Sequence, residues 1–281
     1  MLWAQFFHFL YLERSATIRM IPFFRKIRKK MADDNKPLKY ARYAIGEIVL
    51  VVIGILIALQ VNTWNEERKE RQVELKYFYN LKNDLLADLQ LMDMMIDLSS
   101  GKVKAAKSVK IKADRDSIGS LYDFSNDMQT LVFVNEFRPN DNTYEEMKSS
   151  GNFSSIGNDD LKLKLMNLKK TYLEIAGAHE HLRYDYNVFL EDFEKYVDWG
   201  KYYDLEKSSI PNIDFRYDSI YIESHQEIME QEIHNLYKNK VFLNNIFLLE
   251  INYTYMIDVF NKTKPQILEI TEILNSEIER E

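Results

Sequence analysis

From Tyr43 to Val61 the chain reads YAIGEIVLVVIGILIALQV, 19 residues in which only Glu47 and Gln60 are strongly polar. No polar face recurs within it. As a helix rising 1.5 Å per residue it spans about 28 Å, close to the roughly 30 Å of a bilayer's hydrocarbon core. Beyond it the pattern becomes amphipathic. Phe78, Leu81, Leu85, Leu89, Met92 and Ile96 recur at spacings of three and four, which predicts a helix with one apolar face. Leu161, Leu165, Leu168, Tyr172, Ile175, His179, Leu182, Tyr186, Phe189, Phe193 and Tyr196 continue the same alternation without a break, a seam that partner helices must cover. Met229, Ile233 and Leu236 predict another helix, and Phe242 through Phe260 a further one. Ile267, Ile270, Leu274 and Ile278 predict a terminal helix after Pro265. Four or five such helices, each burying one face, predict an all-α fold, with one N-terminal transmembrane helix continuing into an extracytoplasmic antiparallel helical bundle.

The stretch between the first two amphipathic segments, residues 99–142, is less regular and contains Gly101, Gly119, Pro139 and a basic patch from Lys102 to Lys112. Within it, Leu131–Phe137 fits a short strand or a buried helical turn, because periodicity does not separate the two in so short a run. After it, Gly151 suits the left-handed position that closes a short helix, and Phe153 and Ile156 can tuck inward. Asn158 is placed to cap the next helix, with Asp159 and Asp160 in the first turn where the helix dipole favours negative charge.

Composition supports the helical reading. Only 8 Gly and 5 Pro occur among 281 residues, far fewer than the frequent turns of sandwiches and barrels require. A hydrophobic fraction of 46% can bury a core, and the absence of cysteine excludes disulfides, thiolate-ligated zinc and thiol nucleophiles. Charge is divided: residues 1–43 carry 10 basic and 3 acidic side chains, whereas the remainder carries 27 basic and 41 acidic. The basic cluster Arg25, Lys26, Arg28, Lys29 and Lys30, followed by Lys36, Lys39 and Arg42, immediately precedes the apolar stretch. By the positive-inside rule that side stays cytoplasmic, so the 217 residues from Asn65 to Glu281 lie on the far side. Tyr40, Tyr43 and Trp64 stand where aromatic rings anchor at the membrane interface.

Three segments are expected: a basic cytoplasmic segment 1–42, a transmembrane helix 43–64 and a helical domain 65–281. The apolar run Leu2–Leu12 lacks the basic n-region and small-residue cleavage site of a signal peptide. Met20 reads as the translation start, which would make residues 1–19 an upstream extension. From Met20 onward, apolar and basic residues alternate as in a segment lying on an anionic leaflet. The juxtamembrane run NEERKERQ mixes both charge signs, so no basic face for nucleic acid is expected.

Candidate chemistry is sparse. His179 and His181 are two apart and diverge on a helix; His179, on the apolar seam, is expected as a hydrogen-bonded core histidine, with a pH-responsive site as the functional alternative. Glu230 and His234 share a face, but two ligands are too few for a metal site. Ser149, Ser150 and Ser154 form no nucleophile arrangement, and capping explains them. No phosphate loop occurs, and neither a cofactor nor a metal is expected. In the membrane stretch, Gly46, Leu50, Gly54 and Ala58 fall four apart; Gly46, Gly54 and Ala58 form a small-residue stripe suited to close helix packing. The partners expected are the lipid bilayer and either a second copy of the chain or a membrane partner protein.

Two blocks carry a resemblance. YAIGEIVLVVIGILIALQVNTWNEERK (Tyr43–Lys69), preceded by MIPFFRKIRKK, and RPNDNTYEEMKSSGNFSSIGNDDLKLKL (Arg138–Leu165) resemble the uncharacterised bacterial membrane proteins of the domain of unknown function 6090. The resemblance implies a Gram-negative inner-membrane anchor and a periplasmic helical domain, and brings no activity or catalytic residue. The expected role is a non-enzymatic interaction or sensory module, with a membrane-tethered hydrolase using bundle carboxylates as the alternative.

Overall fold

A computed structural model of the protein describes residues 37–202 and 219–280. The run Leu2–Leu12, Met20, the basic cluster from Arg25 to Lys36, the side chains of Lys39, Tyr40 and Tyr43, and the loop around Pro211 lie outside the described residues. Among the described residues there are six α-helices and no strand: α1 Pro37–Asp114, α2 Leu121–Val132, α3 Asn142–Ser149, α4 Asp159–Phe193, α5 Ser219–Tyr237 and α6 Lys240–Glu279. A 3-10 turn, Trp199–Lys201, follows α4. The chain divides into two compact units, one ending at Gln72 and the other beginning at Val73; α1 contributes residues to both.

In the first unit α1 carries the apolar stretch, and the most apolar part of that helix contains no buried residue. It is the one helix among the described residues long and apolar enough to cross a membrane. Its continuation through Asn65–Glu70 is helical and exposed, with Asn62 donating to Glu66 at 3.0 Å one turn on.

The second unit is built on three long helices. Across the α4–α6 seam, Asn158 Nδ2 donates to Glu277, Thr171 Oγ1 to Gln266 and Asn252 Nδ2 to Asp185. Residue numbers rise on one helix as they fall on the other, so the two run antiparallel. The last two pairs are also two heptads apart on both helices, the spacing of a coiled-coil seam. α6 also runs antiparallel to α1, because Glu250 meets Lys110 and Asp93 meets Lys264. α1 and α4 run parallel, since Glu74 accepts from Gly157 N–H and Asp88 from Tyr172. Phe78, Leu85, Met92, Leu165, Ile175, Leu182, Ile246, Phe260 and Ile270 fill the space between them. α2 and α5 close one side, where the Phe124 ring lies against Tyr202 and Tyr237.

Local signals act as their chemistry requires. Asn158 caps α4 by accepting from Leu161 N–H, with Asp159 and Asp160 in the first turn. Gly151 sits at φ +82°, the left-handed position after α3, and Ile156 is buried. Ser120 and Asp123 form a reciprocal capping box at α2.

Four expectations are corrected. α1 does not become irregular near residue 99 but continues to Asp114 through Gly101, because Ser99, Lys102, Ala105, Ala106 and Val109 prolong its buried face. Leu131–Phe137 is neither strand nor helical turn: Leu131 and Val132 end α2, and Phe133 begins an extended linker. Tyr196 lies beyond α4 and is exposed, so the seam ends at Phe193. Pro265 does not separate two helices, for α6 runs through it. Pro265 and Asn261 are both on the exposed side, where water can reach the carbonyl that the proline leaves without a donor, while Phe260, Ile267 and Ile270 stay buried on either side.

Candidate functional site

The most concentrated polar chemistry of the second unit lies where α1, α3, α4 and the 133–141 linker meet. Asp88 occupies the buried face of α1, with none of its surface exposed. Its Oδ2 accepts from the Tyr172 hydroxyl at 2.6 Å, and its Oδ1 accepts from Asn140 N–H at 2.8 Å and Asn140 Nδ2 at 2.9 Å. Burial pushes its pKa up, against the three bonds that favour the anion, and Asp84 one turn away adds to the rise. Tyr172 is raised too, first by burial and then by the Asp88 carboxylate.

Beside this pair lies a small cleft of about 30 Å³, lined by Leu81, Asp84, Leu85, Asn140, Asp141, Tyr144, Leu165, Leu168, Lys169 and Tyr172. That is room for one or two water molecules. Lys169 bonds Asp141 at 2.5 Å and Glu145 at 2.6 Å, with its ammonium 5.7 Å from the centre of the Tyr144 ring. Burial alone would lower the Lys169 pKa, but the two carboxylates outweigh it and raise it. Asp84 Oδ2 is buried and has no hydrogen-bond partner.

The linker is pinned along its length. Lys102 Nζ donates to Thr130 O at 2.7 Å and to Phe133 O, and Tyr186 donates to Val132 O. Lys102 is 3% exposed, and burial pushes its pKa down to about 8. Further along, Phe137 N–H donates to His179 Nε2 at 3.3 Å. Glu136 reaches Arg183 and Arg138, and these cations hold its carboxyl below the usual range, Arg138 most strongly.

His179 is thus a hydrogen-bonded core histidine. Burial lowers its pKa, with Glu136 opposing and Arg183 reinforcing the shift. His181 points away to Asp185 at 3.5 Å, largely exposed. His234 lies 3.6 Å from Asp116, while Glu230 accepts from Gln226. Among the described residues no group of three acidic or histidine side chains is arranged to hold a metal. Ser149 and Ser150 hydroxyls donate to the Glu146 carbonyl at the end of α3. A Cβ built on Gly46 or Gly54 meets nothing within 4 Å, Ala58 is exposed, and Trp64 is 62% exposed.

Asp88 and Lys102 are the principal polar groups that periodicity passes over. Asp88 falls three after Leu85 and four before Met92, and Lys102 three after Ser99 and four before Ala106, so both occupy core positions of α1. A charge at an apolar register was the available signal. A second surface feature is aromatic and aliphatic: Leu163, Leu173 and Tyr184 on α4 and Phe247, Ile251 and Tyr255 on α6 are all exposed.

These features define an all-α protein with a helix apolar enough to cross a membrane and a helical unit packed around its own core. Residues 47–203 match a family of unknown function, DUF6090, over more than half of the chain, and the protein belongs to that family. No curated protein and no solved structure matches it.

Proposed function

We propose that the protein is a single-pass inner-membrane protein whose periplasmic helical bundle is a non-enzymatic interaction or sensory module. One observation carries the reading: the apolar stretch of α1 leaves Ile48, Leu50, Leu56 and Leu59 each more than half exposed, while the unit from Val73 onward buries its own core. Twelve Ile, Val and Leu residues between Ile45 and Val61 contribute roughly −4 to −7 kcal/mol on the insertion scale, more than one peripheral carboxylate opposes. Hydrocarbon is the solvent that surface suits. The basic residues before the stretch favour a cytoplasmic N-terminus. Within the bundle, Asp88, Asp141 and Glu145 are occupied in holding Asn140, Tyr172 and Lys169, a structural use of carboxylates. The exposed apolar residues of α4 and α6 suit a protein partner.

The natural chain has no cysteine, so a single Ser276→Cys on the exposed face of α6 gives a clean topology probe. In intact cells it should react with a maleimide that crosses the outer but not the inner membrane. Protection until the inner membrane is opened would reverse the orientation, and release of the protein from membranes by alkaline carbonate would remove the anchor. A membrane-tethered hydrolase is the second reading, favoured by the unpartnered Asp84 oxygen in the cleft beside Lys169. Hydrolysis of a general ester or phosphate substrate panel that is lost in Asp84→Asn would establish it.

A further inference from the structure

The linker 133–141 is held by hydrogen bonds at its start, middle and end and by the ion pairs Glu136–Arg183 and Asp141–Lys169, and these respond differently to acid. At its start, Lys102 and Tyr186 donate to the carbonyls of Thr130, Val132 and Phe133, bonds that acid leaves intact. At its end, Asp88 accepts from Asn140; a protonated carboxyl keeps a carbonyl oxygen that can still accept. In the middle, the Phe137 N–H has His179 Nε2 as acceptor. This bond requires the neutral ring with its proton on Nδ1. A protonated ring carries N–H at both nitrogens, so two donors would face each other at a site where the ring is 5% exposed.

We infer that the Phe137–His179 hydrogen bond is an acid-released latch, which frees the Phe137 backbone while both ends of the linker, and its neighbour Glu136 through Arg183, stay pinned. The groups around the ring suit that role. From the linker, Glu136 faces it as an anion that favours the imidazolium; from α4, Arg183 opposes it; and from α6 the Phe260 ring lies 6.3 Å away. Burial above all, with Glu136 opposing and Arg183 reinforcing it, holds the ring below the ordinary histidine value of 6.5, so protonation is deferred to acid. Release would take with it the Phe137 ring, which packs at 5.8 Å on Tyr172 and 5.5 Å on Phe260, and so open an aromatic surface in the bundle. As the input of a sensor, this rests on the sensory reading above; as a switch in the fold, it stands on the linker geometry.

Amide exchange of the full-length protein in nanodiscs, corrected for intrinsic pH dependence, tests the latch. Between pH 7.5 and pH 5, protection at Phe137 should fall at least tenfold, while amides of Ile175 to Leu182 keep theirs. In His179→Gln, whose side-chain carbonyl accepts at any pH, protection should not change with pH. Unchanged protection in the natural protein, or an equal fall in the variant, overturns the inference. Should the variant fail to fold, the ring nitrogen shifts of His179 in the natural protein decide: they must move over the same pH range as the Phe137 exchange, and a ring that stays neutral while exchange rises overturns the latch. If the latch opens but membrane pull-downs recover the same partners at both pH values, the latch stands and the sensory role falls.

Discussion

Removing the Tyr172 hydroxyl isolates the bond on which the buried Asp88 depends. Tyr172→Phe keeps the ring against Phe137 and deletes a 2.6 Å donor to a carboxylate that is wholly buried, leaving Asn140 to donate to the other oxygen. A hydrogen bond to a charged group contributes about 1.5–3 kcal/mol. At about 2–4 °C per kcal/mol for a unit of this size, the melting temperature should fall by roughly 3–12 °C. A double-mutant cycle with Asp88→Ala, read by urea unfolding of the detergent-solubilised protein, should give a coupling energy of about 1.5–3 kcal/mol. The cycle also carries a pH signature. Because burial holds the Asp88 carboxyl above its ordinary value of 3.8, keeping it ionised is a cost that acid relieves. The Tyr172→Phe penalty should therefore shrink as pH falls through the carboxyl's titration, since a neutral carboxyl depends less on its donor. A coupling below about 0.5 kcal/mol, or a penalty flat in pH, would mean that Asn140 alone sustains the buried charge and that the hydroxyl is incidental.

Other positions test other parts of the fold. For Lys102, lowered to about 8 when folded against 10.5 when free, the unfolded chain holds the proton that the folded chain has released between those values, so stability gains with rising pH. Relative to Lys102→Met, the natural protein should gain about 2–3 kcal/mol between pH 8 and pH 10 in chemical denaturation, and parallel curves would refute the burial argument. Pro265→Ala should stabilise the protein by about 1–3 kcal/mol, because it restores a donor in an exposed stretch of an unbroken helix; destabilisation would mean that the proline itself is needed for the packing of α6 on α4. Gly151→Ala should cost about 1 kcal/mol from the left-handed backbone alone, since the added methyl meets no atom within 4 Å, and a neutral effect in thermal melts would show that the backbone relaxes. Gly54→Leu should lower the oligomeric state measured in membranes by crosslinking, and an unchanged pattern would remove the small-residue stripe as a packing face.

Much of this architecture is local in origin and was legible in the chain. An apolar run without a polar face, threes and fours along Leu161–Phe193, an Asn158 cap and a Gly151 stop all act over a turn or two, where neighbouring residues decide the outcome. Punctuation by proline was legible but misread: the rule that Pro ends a helix weighs one lost hydrogen bond, whereas Pro265 sits within a long seam whose burial on both sides exceeds that loss. The same holds for residues 99–114, where Gly101 is a weaker signal than the core that Ala106 and Val109 enter.

What tertiary structure alone decided is the pairing of groups far apart in sequence. Nothing in the order of residues says that Asp88 meets Tyr172, that Lys102 reaches the end of α2, or that His179 accepts from Phe137. Those contacts follow from the parallel and antiparallel registers of α1, α4 and α6, which depend on how three apolar faces fill one space. The chain by itself determined the long apolar seams and which helix is fit for a membrane, because propensity and hydropathy are short-range. The linker's path and the ionisation of the groups that hold it were decided by packing, because burial and hydrogen-bond partners exist only once the helices have come together.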